Sequence, residues 1–160
     1  MNLLFRKMTL EDLAAVVELD QISFSLPWPE RSFRFELTDN IASRCWVAEV
    51  DGRVVGMVVG WMLVDEMHIA TIATHPEFRR QGIARKMLSH TLLQAIDEGA
   101  QSSFLEVRES NLAAQEMYRQ FGYQATGRRR RYYRDNDEDA ILMNLESLSK
   151  ERLFYASDSQ

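Results

Sequence analysis

The chain has 160 residues, 46% hydrophobic and 27% charged, which predicts a single globular domain with a buried core. Its formal net charge of −5 argues against a nucleic-acid-binding protein, which normally carries a basic face, and favours a cationic partner. Cys45 is the only cysteine, so no internal disulfide can form, and we expect a cytoplasmic protein in a reducing compartment.

The N-terminal part of the chain predicts one strand and two helices. Leu3–Arg6 is interpreted as a strand, and Thr9 is placed to cap a helix whose apolar face ends near Ser25. The segment Leu26-Pro27-Trp28-Pro29 must interrupt that helix, because proline lacks an amide hydrogen and restricts the residue before it. A second, shorter helix carrying Phe33 follows.

Three antiparallel strands are expected next, over residues 44–50, 54–63 and 67–74. Asp51-Gly52, between the first two, is a strong hairpin signal. Cys45 lies in the first strand and is interpreted as a small buried side chain rather than a nucleophile. The apolar stretch 54–64 is shorter than the roughly 20 residues of a membrane helix, and no signal peptide is visible, so we expect no membrane contact.

Two further helices are predicted in the second half of the chain. Ile83 begins a long amphipathic helix that Gly99 ends, and Asn111 is placed to cap a helix that Gly122 ends. Strands are expected at 103–107, 123–133 and 140–145.

The element order β-α-α-β-β-β-α-β-α-β-β predicts a mixed seven-stranded sheet with helices on both faces, an α/β (α+β) architecture. We assign residues 1–146 to this domain and 147–160 to a C-terminal extension. The extension is either mobile or docked through Leu153, Phe154 and Tyr155 on the body or on a neighbouring subunit. We expect a monomer or a weak dimer.

The segment from Arg79 to Ala84, between the third central strand and the long helix, is typical of a phosphate-binding loop. A glycine there lets the main chain approach a ligand, and the N–H groups of the first helical turn favour an anion. The chain contains no Gly-Lys pair, which a nucleoside-triphosphate loop requires, and only Gly82 of the three glycines of a dinucleotide loop.

The remaining pattern, R-x-x-G-x-A, resembles the acyl-CoA pyrophosphate signature of the GCN5-related N-acetyltransferases, the GNAT superfamily. Other motifs follow in the order of that superfamily: Pro27-Trp28, Leu105-Glu106-Val107-Arg108-x-Ser110-Asn111, Met117-Tyr118-x-x-Phe121-Gly122-Tyr123 and Arg130-Arg131-Tyr132-Tyr133. Together they resemble the ribosomal-protein-alanine N-acetyltransferases (RimI type) over residues 1 to 146. The resemblance implies transfer of an acetyl group from acetyl-CoA to the α-amino group of a protein, with a ribosomal protein as one candidate acceptor.

The resemblance also implies a set of binding residues. The main chain that would hold the acetyl-pantetheine arm is that of Ile72, Ala73 and Thr74. The coenzyme contacts fall on Arg80, Gln81, Gly82, Ile83, Ala84, Arg85 and Asn111, with Ala84 standing where many family members have glycine. The residues that would receive the acceptor peptide are Leu26, Pro27, Trp28, Tyr132 and Tyr133.

The chemistry requires a neutral amine, because only that form attacks a thioester. An α-amino group, with a pKa of about 7.7–8.0, is neutral far more often at pH 7 than a lysine, with a pKa of about 10.4. A base that takes the proton of the amine and an acid that protonates the departing thiolate both help. The resemblance implies Glu106 as the base, directly or through water, and Tyr118 as the acid.

Several alternatives stay open. Glu106 could instead be a structural carboxylate paired with Arg108, and a helix tyrosine such as Tyr118 is usually a core residue with a satisfied hydroxyl. The acids at 135–139 could attract a basic residue of the acceptor or only keep a turn solvated, and the arginines at 128–131 are interpreted as a solvated strand. His68, with Glu66, could order a catalytic water.

The histidines show no metal-ligand spacing, so no metal is expected. Two rival functions remain. The acceptor could be a small amine or a lysine side chain, or the domain could bind acyl-CoA as a sensor without catalysis.

Overall fold

The computed structural model describes residues 2–153, which form the predicted mixed sheet flanked by helices. The strands are Leu3–Lys7 (β1), Ser43–Val50 (β2), Arg53–Leu63 (β3), Glu66–Thr74 (β4), Ser102–Arg108 (β5), Gln124–Tyr133 (β6) and Glu138–Leu145 (β7). The longer helices are Leu13–Ser23 (α1), Glu30–Thr38 (α2), Ile83–Asp97 (α3) and Leu112–Phe121 (α4). The predicted architecture is confirmed, with most element boundaries shifted by one or two residues; after the predicted Thr9 cap, a 3-10 turn at Leu10–Asp12 precedes α1.

The seven strands form one sheet in the order β1-β2-β3-β4-β5-β7-β6. Every neighbouring pair is antiparallel except β4 and β5, which are parallel. The turn between β2 and β3 has positive φ at Asp51 (49°) and Gly52 (83°), the geometry of a type I′ hairpin. The predicted hairpin is therefore present.

Two apolar cores lie on opposite faces of the sheet. Successive side chains of a strand point to opposite faces, and the fully buried Val58 and Val59 of β3 accordingly belong to different cores. The core that contains Val58 is covered by α3 and α4, and the core that contains Val59 is covered by α1 and α2. This confirms the prediction of helices on both faces.

The parallel pairing of β4 and β5 is short. It joins Glu66–Ile69 to Ser102–Leu105, and it ends there although both strands continue. Beyond that point β4 pairs only with β3, and β5 pairs with β7, as in Glu106 opposite Leu142. Within residues 2–153, the main chain of β4 from residue 70 to 74 therefore has one edge without a strand partner.

The beginning of the C-terminal extension lies on the body of the domain. Leu153 is fully buried in the core under α3, and Leu148 packs against the same core. The Leu148 amide donates a hydrogen bond to the Gln101 carbonyl (3.0 Å), and the Ser89 hydroxyl donates one to the Leu153 carbonyl (3.3 Å). Phe154 and Tyr155, the other predicted docking residues, lie outside the described residues.

Cys45 is partly buried and contacts the Ser43 hydroxyl at 3.1 Å. Burial raises the pKa of its thiol to about 11, so the thiolate is scarce at neutral pH. This agrees with the interpretation of Cys45 as a packing residue. In the part of the chain from 2 to 153, no helix combines the length and the apolar character that crossing a membrane requires.

We expect Leu153→Ala to lower the free energy of unfolding by about 2–5 kcal/mol, because it leaves a cavity under α3. Urea unfolding would measure the change. Ile41→Ala is the control, since Ile41 is 95% exposed and its truncation should cost less than about 0.5 kcal/mol. Equal stability of the Leu153→Ala variant and the wild type would contradict the docking of this segment.

Candidate active site

Glu106 lies on β5, and strand alternation places it on the same face as Phe104 and Arg108. Its Oε2 lies 2.7 Å from Nε2 of His68 on β4, and the two side chains are 16% and 13% exposed. A carboxylate can only accept, so the imidazole Nε2–H donates. This hydrogen bond lowers the pKa of Glu106 against the opposing effect of burial. The site therefore holds an ionised, partly accessible carboxylate.

Arg108 does not pair with Glu106, so that alternative reading of the sequence is wrong. The Arg108 guanidinium contacts the carboxylates of Asp135 (3.0 Å) and Glu138 (3.2 Å) in the turn between β6 and β7. It also stacks over the Tyr133 ring, 4.0 Å from the centroid. The long side chain reaches beyond its own strand, and this leaves the Glu106 carboxylate to His68.

Two loops meet next to this arginine. Ser25, in the loop between α1 and α2, donates its hydroxyl hydrogen to Asp135 and lies 3.4 Å from an Arg108 nitrogen. The loop between α1 and α2 is thereby joined to the β6–β7 turn. We call Ser25, Arg108, Asp135 and Glu138 the loop bridge.

The loop between α1 and α2 has a second anchor inside the domain. The Trp28 amide donates to the buried Asp20 carboxylate at 2.6 Å, and burial raises the pKa of that carboxyl group. The Trp28 ring lies 5.1 Å from the Phe33 ring. Trp28 is therefore held at the surface of the α1–α2 core.

An open cavity of about 480 Å³ adjoins this loop. Its lining residues are Trp28, Arg31, Ser32, Phe35, Glu36 and Trp61. The Trp61 ring also contacts the His68 ring edge-on, with centroids 5.1 Å apart. One wall of the cavity is therefore in contact with the His68–Glu106 pair.

The other predicted acceptor residues surround the loop bridge. Leu26 is 47% exposed and Tyr132 is 45% exposed, and Pro27 is also at the surface. Tyr133 is half-buried beneath the Arg108 guanidinium. Apolar and aromatic side chains of the α1–α2 loop and of the end of β6 are thus available at the surface beside the loop bridge.

Three of the four acids at 135–139 have partners within the protein, an arrangement that neither sequence alternative described. Arg108 binds Asp135 and Glu138, and Arg128 binds Asp139 at 2.8 Å. Hydrogen bonds from Ser110 are the main reason that the pKa of Glu138 falls to about 2. These carboxylates shape the turn and offer little unpaired charge to an acceptor.

The predicted coenzyme loop has the backbone of an anion cradle. Arg80 and Gly82 have φ of 63° and 78°, and Gly82 is the N-cap of α3 without a side chain to cap it. The first helical hydrogen bond runs from the Lys86 amide to the Gly82 carbonyl (3.0 Å). The amides of Ile83 and Ala84 in the preceding turn therefore remain available to an anion.

The end of β4 leads into this cradle. Ile72 and Ala73 pair with Val58 and Met57 on β3, and they have no β5 partner. The Thr74 hydroxyl oxygen is buried and has no hydrogen-bond partner among residues 2–153. A buried polar atom without a partner is uncommon, and it fits a position that a ligand group would satisfy.

Asn111 and Tyr118 lie on α4. The Asn111 side chain accepts a hydrogen bond from the Ala114 amide (3.2 Å) and caps the helix as predicted. Tyr118 is 5% exposed, and burial raises the pKa of its phenol. No described residue hydrogen-bonds its hydroxyl, whereas the nearby Tyr123 hydroxyl donates to Ser103 at 2.7 Å. Tyr118 is thus a core side chain with an unengaged hydroxyl.

No group of three or more His, Cys, Asp or Glu side chains within residues 2–153 is arranged to hold a metal ion. The expectation that the protein needs no metal stays a prediction. The contact between His68 and Glu106 and the loop bridge were both missed in the sequence. The sequence suggests Glu66 as the partner of His68, but Glu66 is exposed at the start of β4, and His68 contacts Glu106 instead.

Comparison with known proteins gives consistent matches. Residues 13–123 match the family model described as Acetyltransferase (GNAT) family. A Bacillus subtilis (strain 168) protein with the provisional name [ribosomal protein bS18]-alanine N-acetyltransferase is 38% identical over 138 residues, covering 86% of this chain and 91% of that protein. The [ribosomal protein bS18]-alanine N-acetyltransferase of Escherichia coli (strain K12) is 32% identical over 145 residues, covering 84% and 90%.

A solved structure agrees with these sequence matches. The crystal structure of the ribosomal-protein-S18-alanine N-acetyltransferase from Escherichia coli superposes with a TM-score of 0.84 at 28% identity. The match covers 92% of this chain and 96% of that chain.

We expect Arg108→Ala to speed amide hydrogen exchange about fivefold at residues 24–28 and 134–137, the effect of losing about 1 kcal/mol of ion pairing. Arg128→Ala is the matched control, because Arg128 binds Glu109 and Asp139 and does not reach the α1–α2 loop. Unchanged exchange at 24–28 in the Arg108→Ala variant would rule out the loop bridge.

Proposed function

The chain belongs to the acetyltransferase (GNAT) family and is an N-acetyltransferase, and we propose that its acceptor is the α-amino group of a protein N-terminus. One observation supports this proposal: the ionised Glu106 carboxylate contacts His68, and the His68 ring contacts Trp61 in the wall of an open cavity that adjoins one of the two bridged loops. The leading candidate acceptor is an N-terminal alanine of a ribosomal protein, since relatives with 38% and 32% identity are named for that reaction.

A peptide acceptor suits the shape of this surface. The cavity is open to solvent and lined by Trp28, Phe35 and Trp61, which can contact the first residues of an extended chain while the rest of the acceptor stays outside. Tyr132 and Tyr133 are the last residues of β6, directly before the other bridged loop. A small amine would need a more enclosed pocket to gain comparable contact.

Acetyl-CoA would be held by the cradle that precedes α3. The amides around Gly82, with Arg80, Gln81 and Arg85, suit the pyrophosphate, and the unpartnered edge of β4 from Ile72 to Thr74 suits the pantetheine amides. The buried Thr74 hydroxyl supplies one polar group that still lacks a partner in the described chain. When bound, the coenzyme supplies the thioester carbonyl that the amine attacks.

Glu106 and Tyr118 are assigned the two proton transfers. The acceptor enters as the neutral amine, and Glu106 takes the proton that its nitrogen loses on forming the amide bond. Tyr118 donates its phenolic proton to the thiolate that leaves, and solvent restores the protons afterwards. The Tyr118 phenol is protonated at neutral pH, and burial, which raises its pKa, also makes it a weaker acid than an exposed phenol.

The acceptor assignment has a direct test with peptides. We expect acetylation of the free α-amine of a peptide beginning Ala-Arg, and none on an internal lysine of a peptide with a blocked N-terminus, because the lysine amine is almost never neutral at pH 7. Mass spectrometry would locate the acetyl group. Glu106→Gln should lower kcat/KM by about 100-fold or more, since it removes the base and keeps the side-chain shape.

Three outcomes would overturn parts of this proposal. Modification of the internal lysine alone would refute the α-amine acceptor, and full activity of Glu106→Gln would remove that residue as the base. Calorimetric binding of coenzyme A without acetylation of any peptide would favour the sensor alternative.

The acid assignment can be tested with a pair of buried tyrosines. We expect Tyr118→Phe to lower kcat by about 100-fold with little loss of stability, because its hydroxyl has no partner among residues 2–153. Tyr123→Phe should keep kcat and lose about 1 kcal/mol of stability, because it removes the hydrogen bond to Ser103. Steady-state kinetics and thermal unfolding measure both. Equal kcat for Tyr118→Phe and the wild type would exclude the proposed acid.

A further inference from the structure

The His68 side chain is held between two aromatic rings that the sheet register places beside it. Trp61 on β3 and Phe104 on β5 are the residues directly paired with His68. The Phe104 ring is parallel to the imidazole at 4.3 Å with an interplanar angle of 5°, and the Trp61 ring meets it edge-on at 68°. The plane of the imidazole is therefore set from both neighbouring strands.

Trp61 is itself anchored to α2. Its indole N–H donates a hydrogen bond to the buried Glu36 carboxylate, which also accepts one from Asn40 at 2.9 Å and one from Ser43 at 3.3 Å. A tryptophan held at its ring nitrogen cannot turn away without breaking this bond. The clamp around His68 is therefore tied to a helix that covers the same face of the sheet.

This clamp aims the imidazole at one oxygen of Glu106. Nε2 of His68 binds Oε2, and no other side chain of residues 2–153 hydrogen-bonds that carboxylate. Glu106 is 16% exposed, and its second oxygen, Oε1, has no side-chain hydrogen-bond partner among residues 2–153. With Oε2 engaged by His68, Oε1 is the oxygen left to receive a proton from a bound amine.

We propose that His68 is the positioning residue of the catalytic base: it holds Oε2 of Glu106 through Nε2–H, so that Oε1 faces the acceptor amine. This inference rests on the proposed function, because positioning Glu106 affects catalysis only if Glu106 receives the proton of the amine. His68 does not touch the reacting atoms. Its contribution is the fixed orientation and ionisation of its neighbour.

The pH dependence follows from the groups around Glu106. His68 on β4 and Arg129 on β6 both lower the pKa of Glu106, while burial raises it. The Tyr133 phenol on β6 also faces Glu106. Arg108, on β5 like Glu106, is bound to the β6–β7 turn, and Glu36 lies on the far side of Trp61. With His68 replaced by an apolar ring, burial would dominate, and the pKa of Glu106 would rise. The base would then be lost at a higher pH than in the wild type.

The test compares His68→Phe with His68→Gln in the full chain. Phenylalanine can keep the stacking on Phe104 and removes the donor, whereas glutamine keeps a neutral N–H donor. We expect His68→Phe to lower kcat about 10-fold or more, because it removes one hydrogen bond to a charged group. It should also move the acidic limb of the plot of kcat against pH to higher pH. His68→Gln should retain most of the kcat, and its acidic limb should stay at the wild-type pH. KM for acetyl-CoA should change little in either variant.

Two NMR measurements report on the contact between His68 and Glu106 independently of any activity assay. A carbon-detected titration of the Glu106 carboxyl should show a higher midpoint in His68→Phe than in the wild type. Long-range nitrogen spectra of the wild type should show the imidazole proton on Nε2, and this needs no variant to fold. A proton on Nδ1 alone, or an unchanged Glu106 midpoint and acidic limb in His68→Phe, would overturn the role of His68.

The outcomes for His68 and for the proposed function are separable. Absence of peptide acetylation by the wild type, or full activity of Glu106→Gln, would refute the proposed function while the NMR data still report the contact. Loss of activity in Glu106→Gln together with wild-type kcat, acidic limb and Glu106 midpoint in His68→Phe would refute only the positioning role.

Discussion

The early end of the parallel ladder between β4 and β5 is the constraint on which the candidate site depends. Up to Ile69 and Leu105 the two strands form backbone hydrogen bonds with each other. Beyond that point β5 is paired with β7 and no longer with β4. Backbone groups left without a strand partner at the end of β4 must find other partners. The same feature provides an edge for a ligand and brings Glu106, just past the last pair, next to that edge.

Most charged side chains near Glu106 are engaged with one another rather than with an acceptor. Arg108 binds carboxylates of the β6–β7 turn and reaches Ser25, so a cation in the middle of the site serves as a structural link between loops. The lining of the neighbouring cavity is mainly apolar, with Trp28, Phe35 and Trp61 among its residues. Recognition of an acceptor would then depend on shape and on the reactive amine more than on paired charges.

Local signals in the sequence explain why the fold was predictable. The hairpin at Asp51-Gly52 and the cap at Asn111 depend on preferences of a few adjacent residues, so they can be read without tertiary information. The roles of Glu106 and Tyr118 are indicated by a family motif, and apolar periodicity alone does not single out either residue. The contact of His68 with Glu106 joins residues 38 positions apart and needs the register of β4 against β5, which apolar periodicity does not specify.

The use of a carboxylate as the base has a consequence for acceptor choice. An ionised carboxylate is a far weaker base than an amine, and the lowered pKa of Glu106 makes it weaker still, so the attacking amine must already be neutral when it binds. An α-amine meets that condition at pH 7 in about a tenth of molecules, and a lysine in less than about one in a thousand. Under the proposed mechanism, a weak base therefore adds selectivity for N-termini, because the acceptor's own pKa separates the two amines before any contact with the cavity.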